Sequence, residues 1–535
     1  MASITLGLPE MKVSPDENPI TGLRLFVLLL GMVAASIAIH GYHYGIEDEA
    51  IYLPAIKVLV NPALYPQDTI FFAPQTRFML FDNLVAAVAR VTHARVDCTV
   101  FGFYVATLLS FYAGLWALTM RLFPGRRGRM GGMLLIGSLL TMPIAGTSIF
   151  IVDQHLHPRT LATALILWAA ALVAPGTMGD GARTRRDYVL AAILMATAAL
   201  FHVQMAFYGT LFLAALLLPL RPRVGVLVLL AGAVTVLLTA TLMAKGGPEW
   251  QEASRTRAQH YLMRWEWYEW LGAIAPGLLL WGMARLARIR GLLVAGEVAL
   301  RTALFAAFAF VAGCAVTIPP QLERLVVFQP LRMLHLIYIV MLLMAGGLLA
   351  ELALKGKAWR WALLLVPIAG GMCFAQYQTF PDTHHIEWPE RATGNDWVEG
   401  FHWVKANTPV DARFVLDPRY MSLPGEDFHG FRGLAERGQM GDWSKDSGVA
   451  LLFPRLAPRW WREVHALDNW KNFKAEDFHR LHEQFGVGWT MLPFNGPREI
   501  PGEYATVAGR PPYVIPLPLS DCEWHNRSVV VCRVR

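Results

Sequence analysis

The chain has 535 residues, 55% of them hydrophobic and 16% charged, with a formal net charge of +7. Apolar runs reach the roughly 20 residues that cross a bilayer, so the expected fold class is a polytopic α-helical membrane protein. The positive balance carries no nucleic-acid footprint, because the basic residues cluster at the ends of apolar runs, where anionic lipid and insertion sidedness account for them.

The first 22 residues contain Glu10, Asp16 and Glu17, lack a basic leader region and offer no small-residue cleavage site, so the first apolar segment reads as an uncleaved anchor. Apolar segments follow at 23–40, 100–122, 131–150, 160–175, 188–203, 205–220, 224–243, 271–285, 297–318, 333–351 and 361–377, about eleven helices in all. Arg126, Arg127 and Arg129, then Arg183, Arg185 and Arg186, then Arg221 and Arg223, then Arg288 and Arg290, then Lys355 and Lys357 fall in alternate connections. Positive residues resist translocation, which predicts a cytoplasmic N-terminus in the inner (plasma) membrane and an extracytoplasmic segment after Tyr377. Three zones follow: 1–22, a membrane body 23–377, and an extracytoplasmic α/β unit 378–535 with helices near 395–407, 458–467 and 475–485 and strands near 413–416, 488–492 and 528–534.

The first outside connection, 41–97, is long. It holds two short apolar-faced segments, 51–60 and 78–91, that read as helices lying on the membrane surface, with Pro54, Pro62, Pro66 and Pro74 dividing it. It opens with Glu47-Asp48-Glu49. Helical residues point about 100° apart, so the three cannot converge; Asp48 with one glutamate is the expected inward pair, and burial with mutual repulsion should raise its basicity, suiting it to take a proton from a hydroxyl. The plain alternative is a cap on the helix that follows.

On the same side, Asp153-Gln154-His155-Leu156-His157-Pro158-Arg159 packs two imidazoles, a carboxylate and a guanidinium into seven positions, with His202 and Gln204 opening onto the same face. This set could hold a sugar, a phosphate or a divalent cation such as Mg or Mn, with Asp48, Asp153 and His155 as candidate ligands, although an i, i+2 histidine pair shares a face only when extended. Alternatively it is a polar interface loop in which Asp153 caps the next helix. A third cluster comprises Glu323, Arg324, Gln329 and Arg332, with His335 one turn on. Arginines on the outer side run against the inside bias, and guanidinium suits phosphate; snorkelling or pairing with Glu323 is the competing account. The aromatic run Trp265 to Trp270 reads as an interfacial belt.

Of five cysteines, Cys98, Cys314 and Cys373 lie in or beside apolar spans, whereas Cys522 and Cys532 flank a turn in the tail and are either a disulfide or two buried thiols. Zinc, P-loop and dinucleotide motifs are absent from the sequence.

The acidic motif Glu47 to Tyr52, the two surface helices behind it and the many-helix body with an external C-terminal unit resemble the GT-C superfamily of membrane glycosyltransferases. The runs Glu47 to Asp68, Asp153 to Arg159, Gln329 to Arg332 and Phe431 to Arg437 also resemble a bacterial polytopic membrane family grouped near it, one without an assigned activity. The resemblance implies transfer of a sugar from a polyprenyl-phosphate carrier to a glycan, lipid or protein acceptor. Asp48, with Glu47 and Glu49 beside it, would act on the acceptor hydroxyl, and Arg324, Arg332 and Arg77, with His335, Arg159, His157, His155 and His202, would bind the donor. Asp153 with histidines stands where a second paired carboxylate belongs, which leaves a metal open. A transporter or flippase would instead place charged residues near mid-membrane, and a receptor or scaffold would tolerate neutral substitution of the acidic triplet.

Overall fold

The computed structural model describes residues 20–175, 183–243, 246–494 and 516–535. Seven helices among them are long and apolar enough to cross a membrane: Gly22–His40, Val96–Leu122, Pro222–Leu242, Trp267–Ile289, Leu293–Thr317, the run Pro320–Leu354 and Ala358–Thr379. Pro158–Val173 and Val203–Leu217 are shorter apolar helices, and Arg185–Phe201 completes the set. Apolar side chains such as Leu363 and Val366 stand exposed on the outside of this bundle. Surface of that kind is stable only against lipid.

The helix expected over 131–150 is not continuous. Arg126–Gly137 is helical, after which the chain turns back on itself through the isolated bridge Pro143↔Phe150, with positive φ at Ala145 and Ser148. Apolar composition alone could not separate a span from a buried turn: the helix stops at Gly137 and the chain goes on in turns to Pro143, which cannot donate to a helical ladder. The shortened helix packs against Leu334–Leu349 through glycine: a Cβ on Gly131 would lie 2.4 Å from the Gly346 carbonyl oxygen, a separation that only a glycine pair permits.

The long connection between the spans Gly22–His40 and Val96–Leu122 holds the helices Glu49–Val60 and Phe81–Thr92. The C-terminal portion contains the helices Asp396–Asn407, Phe431–Ala435, Lys445–Leu452, Ala457–His465 and Ala475–Phe485 around a five-stranded sheet. Its strands are β1 (Arg413–Val415), β2 (Gly438–Gln439), β3 (Trp489–Pro493), β4 (Cys522–His525) and β5 (Val529–Arg533), in the order β2-β1-β3-β5-β4. β1 runs parallel to β2 and β3, whereas β5 is antiparallel to β3 and β4. A disulfide joins the paired residues Cys522 and Cys532.

This C-terminal portion is stitched into the start of the first connection by backbone hydrogen bonds. Tyr42 N–H donates to His385 O, Glu387 N–H to Tyr42 O, Glu47 N–H to Phe428 O and Gly430 N–H to Gly45 O. Gly430 is required there, since a Cβ would come within 2.5 Å of Ala50 Cβ. Beneath these bonds the Glu387 carboxylate lies between His43 Nδ1 and His429 Nε2, both at 3.0 Å, all three side chains buried.

Candidate functional site

Glu47 and Asp48 come at the end of the stitched segment, just before Glu49–Val60. Glu47 sits at φ 49°, a left-handed backbone that a non-glycine residue adopts at a cost of about 1–3 kcal/mol. Asp48 is the residue before the helix, yet its side chain makes no capping hydrogen bond. Instead Lys445, from the first turn of Lys445–Leu452, donates to Glu47 Oε2 at 2.6 Å and Asp48 Oδ1 at 3.1 Å, and Asp48 Oδ2 lies 3.2 Å from His157 Nε2. The two carboxylates keep 41% and 39% of their side-chain surface accessible although the partners they touch, Lys445 and His157, are buried. They therefore line a cleft.

Glu49 faces elsewhere. Its buried carboxyl accepts the amides of Gly45 (2.6 Å) and Leu156 (3.0 Å), tying the acidic segment to the histidine segment, and desolvation pushes it up to about 8. The expected inward pair is thus Glu47 with Asp48, not Glu49. The expected basicity of Asp48 is reversed too: desolvation works against it, but the Lys445 ammonium, His157 and Arg159 hold the carboxyl well below the usual carboxylate range.

Opposite Asp48 stands the Asp153 to Arg159 segment. His157 is the N-cap of Pro158–Val173, its Nδ1 accepting the Arg159 amide at 2.9 Å with Pro158 at the first helical position. Arg159 Nη2 donates to both oxygens of Asp153 at 2.8 Å, so Asp153 caps nothing; despite desolvation, Arg159 and the histidines hold it down at about 2. Burial pushes His157 down to about 4 and lowers His155 as well. His155 is buried with neither ring nitrogen hydrogen-bonded, and Arg159 Nη1 is also unpartnered. The rings of His155 and His202 lie 6.0 and 6.1 Å from that of His157, and Tyr52 lies 5.3 Å from it.

Arg332 reaches the same cleft, within the electrostatic field of Arg159, Asp48 and Tyr52. Its Nη1 donates to Gln204 Oε1 at 3.3 Å, while its Nε has no partner. A small hollow lined by Gln259, His260, Gln329 and Arg332 adjoins it. Arg257, whose Nη2 donates to the carbonyls of Ser444 and Lys445, keeps an unpartnered Nε and lies in the field of Asp48 and Glu47.

Three expected donor-binding residues lie elsewhere. His335 Nε2 is bound to Ile151 O (2.9 Å) inside the bundle. Arg324 donates to Met243 O, its neighbour Glu323 being taken by Arg255 and Tyr261. Arg77 is exposed at the end of the turn Pro74–Arg77. Helical spacing predicts Arg332 and His335 on one face; residues 330–333 form a 3-10 turn leading into the helix Leu334–Leu349, and the two side chains take different partners, Gln204 for Arg332 and the Ile151 carbonyl for His335. Nor do Asp48, Asp153 and His155 form a cation site: both carboxylates are already held by Lys445, His157 and Arg159, and among the described residues no group of three or more His, Cys, Asp or Glu is placed to hold a metal. Sequence reading missed Lys445, Arg257 and His260. For Arg257 a signal existed: like Arg332, it is a basic residue in a connection that the charge bias predicts to be extracytoplasmic and therefore poor in them.

The fold is similar to those of two kinds of solved sugar transferase. One is the oligosaccharyltransferase AglB of Archaeoglobus fulgidus, in complex with an inhibitory peptide and a dolichol-phosphate, at 11% identity and a TM-score of 0.45 over 88% of this chain and 69% of that one. A second structure of the Archaeoglobus fulgidus oligosaccharyltransferase, a complex with Zn and sulfate, gives 13% and 0.45 over 87% and 68%. The other is the arabinofuranosyltransferase AftD from Mycobacteria, at 14% and 0.48 over 97% of this chain and 42% of that one. At these identities the likeness is one of fold alone, and no residue role is carried over. No family model and no curated protein matches the chain.

Proposed function

We propose that the chain is a membrane glycosyltransferase that moves a sugar from a polyprenyl-phosphate carrier to an acceptor hydroxyl on the extracytoplasmic face. The observation that carries this reading is the meeting, in one cleft, of an accessible carboxylate at Asp48 with the guanidinium groups of Arg159, Arg257 and Arg332. In an inverting transfer the acceptor oxygen forms a bond to the anomeric carbon as the bond from that carbon to the carrier phosphate breaks. Asp48 accepts the hydroxyl's hydrogen bond, orients its lone pair and takes the proton as the new bond forms; the proton then passes to water or to the released carrier phosphate. Charge grows on the departing phosphate, so Arg332 and Arg257 stabilise the transition state more than the ground state. No step is routed through a metal, because both candidate carboxylates, Asp48 and Asp153, are already engaged by Lys445, His157 and Arg159.

Sidedness is part of the proposal. The basic connections place the C-terminal portion outside, with 1–22, 23–377 and 378–535 as tail, body and external unit, and the Cys522–Cys532 disulfide fits an oxidising compartment. Radiolabelled polyprenyl-phosphate sugars supplied to the purified protein test the reading: transfer that is lost in Asp48→Asn supports it, and no transfer from any carrier, with or without chelator, overturns it.

A further inference from the structure

We propose that Lys445 is a positioning residue of this site: the C-terminal portion supplies the cation that holds Asp48 ionised and aimed into the cleft. The inference rests on the transferase reading for its kinetic half, and on geometry for the rest. Lys445 comes from a segment nearly 400 positions further along the chain, and among the described residues its ammonium is the one group that touches Glu47 and Asp48 together, at 2.6 and 3.1 Å.

Its placement runs against helix stability. A cation in the first turn opposes the helix dipole by roughly 0.3–1 kcal/mol, and the residue is only 6% exposed, so the lysine is desolvated as well. Local structure is organised to keep it there. The Lys445 amide donates to Asp442 Oδ1, the Asp442 amide donates to Asp446 Oδ2, and Asp446 is gripped by both terminal nitrogens of buried Arg432. The Lys445 carbonyl in turn accepts from Arg257. A chain of buried polar contacts therefore ends at one ammonium facing two carboxylates. It links the cationic side of the cleft to the acidic side through the C-terminal portion.

This arrangement separates two roles within the acidic segment. Glu49 holds the segment in place through backbone amides, whereas the charge state of Asp48 is set from outside that segment. An acceptor hydroxyl then meets a carboxylate that is already ionised and whose second oxygen is fixed on His157.

The test uses the full-length protein in detergent and two readouts. Carbodiimide couples to protonated carboxyls, so mass-spectrometric labelling of Asp48 against pH reports its ionisation without any need for activity. In K445M, and in K445Q as a second neutral variant chosen for native elution and unfolding behaviour, the labelling midpoint should move up by about 1 pH unit or more, since an opposite charge at this range lowers a carboxylate by about 1–3; K445R should keep the wild-type midpoint. The acid limb of kcat/KM for transfer should move in step. An unmoved labelling midpoint overturns the proposal. A moved midpoint with a fixed acid limb also overturns it, leaving Lys445 a structural ion pair. If the wild-type protein transfers no sugar while Asp48 labelling shifts in both neutral variants, the transferase reading falls and the hold of Lys445 on Asp48 stands.

Discussion

Replacing Glu387 with glutamine removes a charge at the point where three distant stretches of chain cross. The carboxylate lies between His43, which precedes the acidic segment, and His429, which follows Glu426 and Asp427. Burial alone would raise its pKa; the two imidazoles instead hold it at about 2 against an ordinary value of 4.5. At about 1.4 kcal/mol per pH unit, that difference corresponds to about 3 kcal/mol of stability at neutral pH. The sign follows from the direction. A depressed carboxylate contributes fully above 4.5 and loses its contribution as pH falls from there towards 2. His429 is raised, burial opposing and Glu387 favouring its charged form, so the same contact weakens again as pH climbs above 6.5 and through the folded value. Glu387→Gln should therefore lower the thermal midpoint of the solubilised protein by several degrees near pH 6, with a smaller penalty at pH 9. His429→Gln should give a similar loss that does not add to the first, because both remove one interaction. A Glu387→Gln protein with an unchanged midpoint between pH 5 and 7 would refute the argument that this buried cluster fastens the C-terminal portion to the acidic segment.

Asp48→Asn is expected to reduce transfer, measured with radiolabelled donor, by about 10²–10⁴-fold, with a lower thermal midpoint at neutral pH because the buried Lys445 loses one of its two carboxylates. Arg332→Ala should lower kcat by about 10²–10³-fold, as does loss of a donor to a developing oxyanion, whereas Arg324→Ala, whose guanidinium is turned to Met243, should leave kcat within a factor of a few. Gly430→Val forces a side chain into Ala50 and should cost about 1–3 kcal/mol, read as lower thermal stability together with faster proteolysis of the C-terminal portion. Cys522→Ser opens a short covalent loop and should cost roughly 2 kcal/mol, seen as a lower midpoint that reducing agent reproduces in the wild type.

Much of the architecture was legible because hydrophobicity and its period are local properties. Glu49–Val60, Phe81–Thr92 and Ala475–Phe485 were each readable from apolar residues recurring on one face, and β1, β3 and β5 from short β-branched or aromatic runs. The two-residue strand β2 carries no pattern, since pairing with β1 alone creates it. The 131–150 segment failed for a related reason: its residues are apolar because they are buried, and burial does not distinguish helix from turn. At the site, proximity in sequence exposed the acidic triplet and the histidine run but misassigned their members. Burial raises both carboxyls, but at Glu49 it is opposed only by two amides and prevails, whereas at Asp48 it is overcome by cations and a histidine brought from residues 445, 157 and 159. No periodicity announces Lys445; its partners are almost four hundred residues upstream.

The stitching of residues 42–47 to residues 385–387 and 428–430 has a consequence for biogenesis. The amides of Tyr42 and Glu47 find their carbonyl partners only in chain that a ribosome makes more than three hundred residues later. Until then water must satisfy them, and the acidic corner cannot take its final form. On this ordering the cleft at Asp48, and with it any activity that depends on that cleft, is completed only late in synthesis.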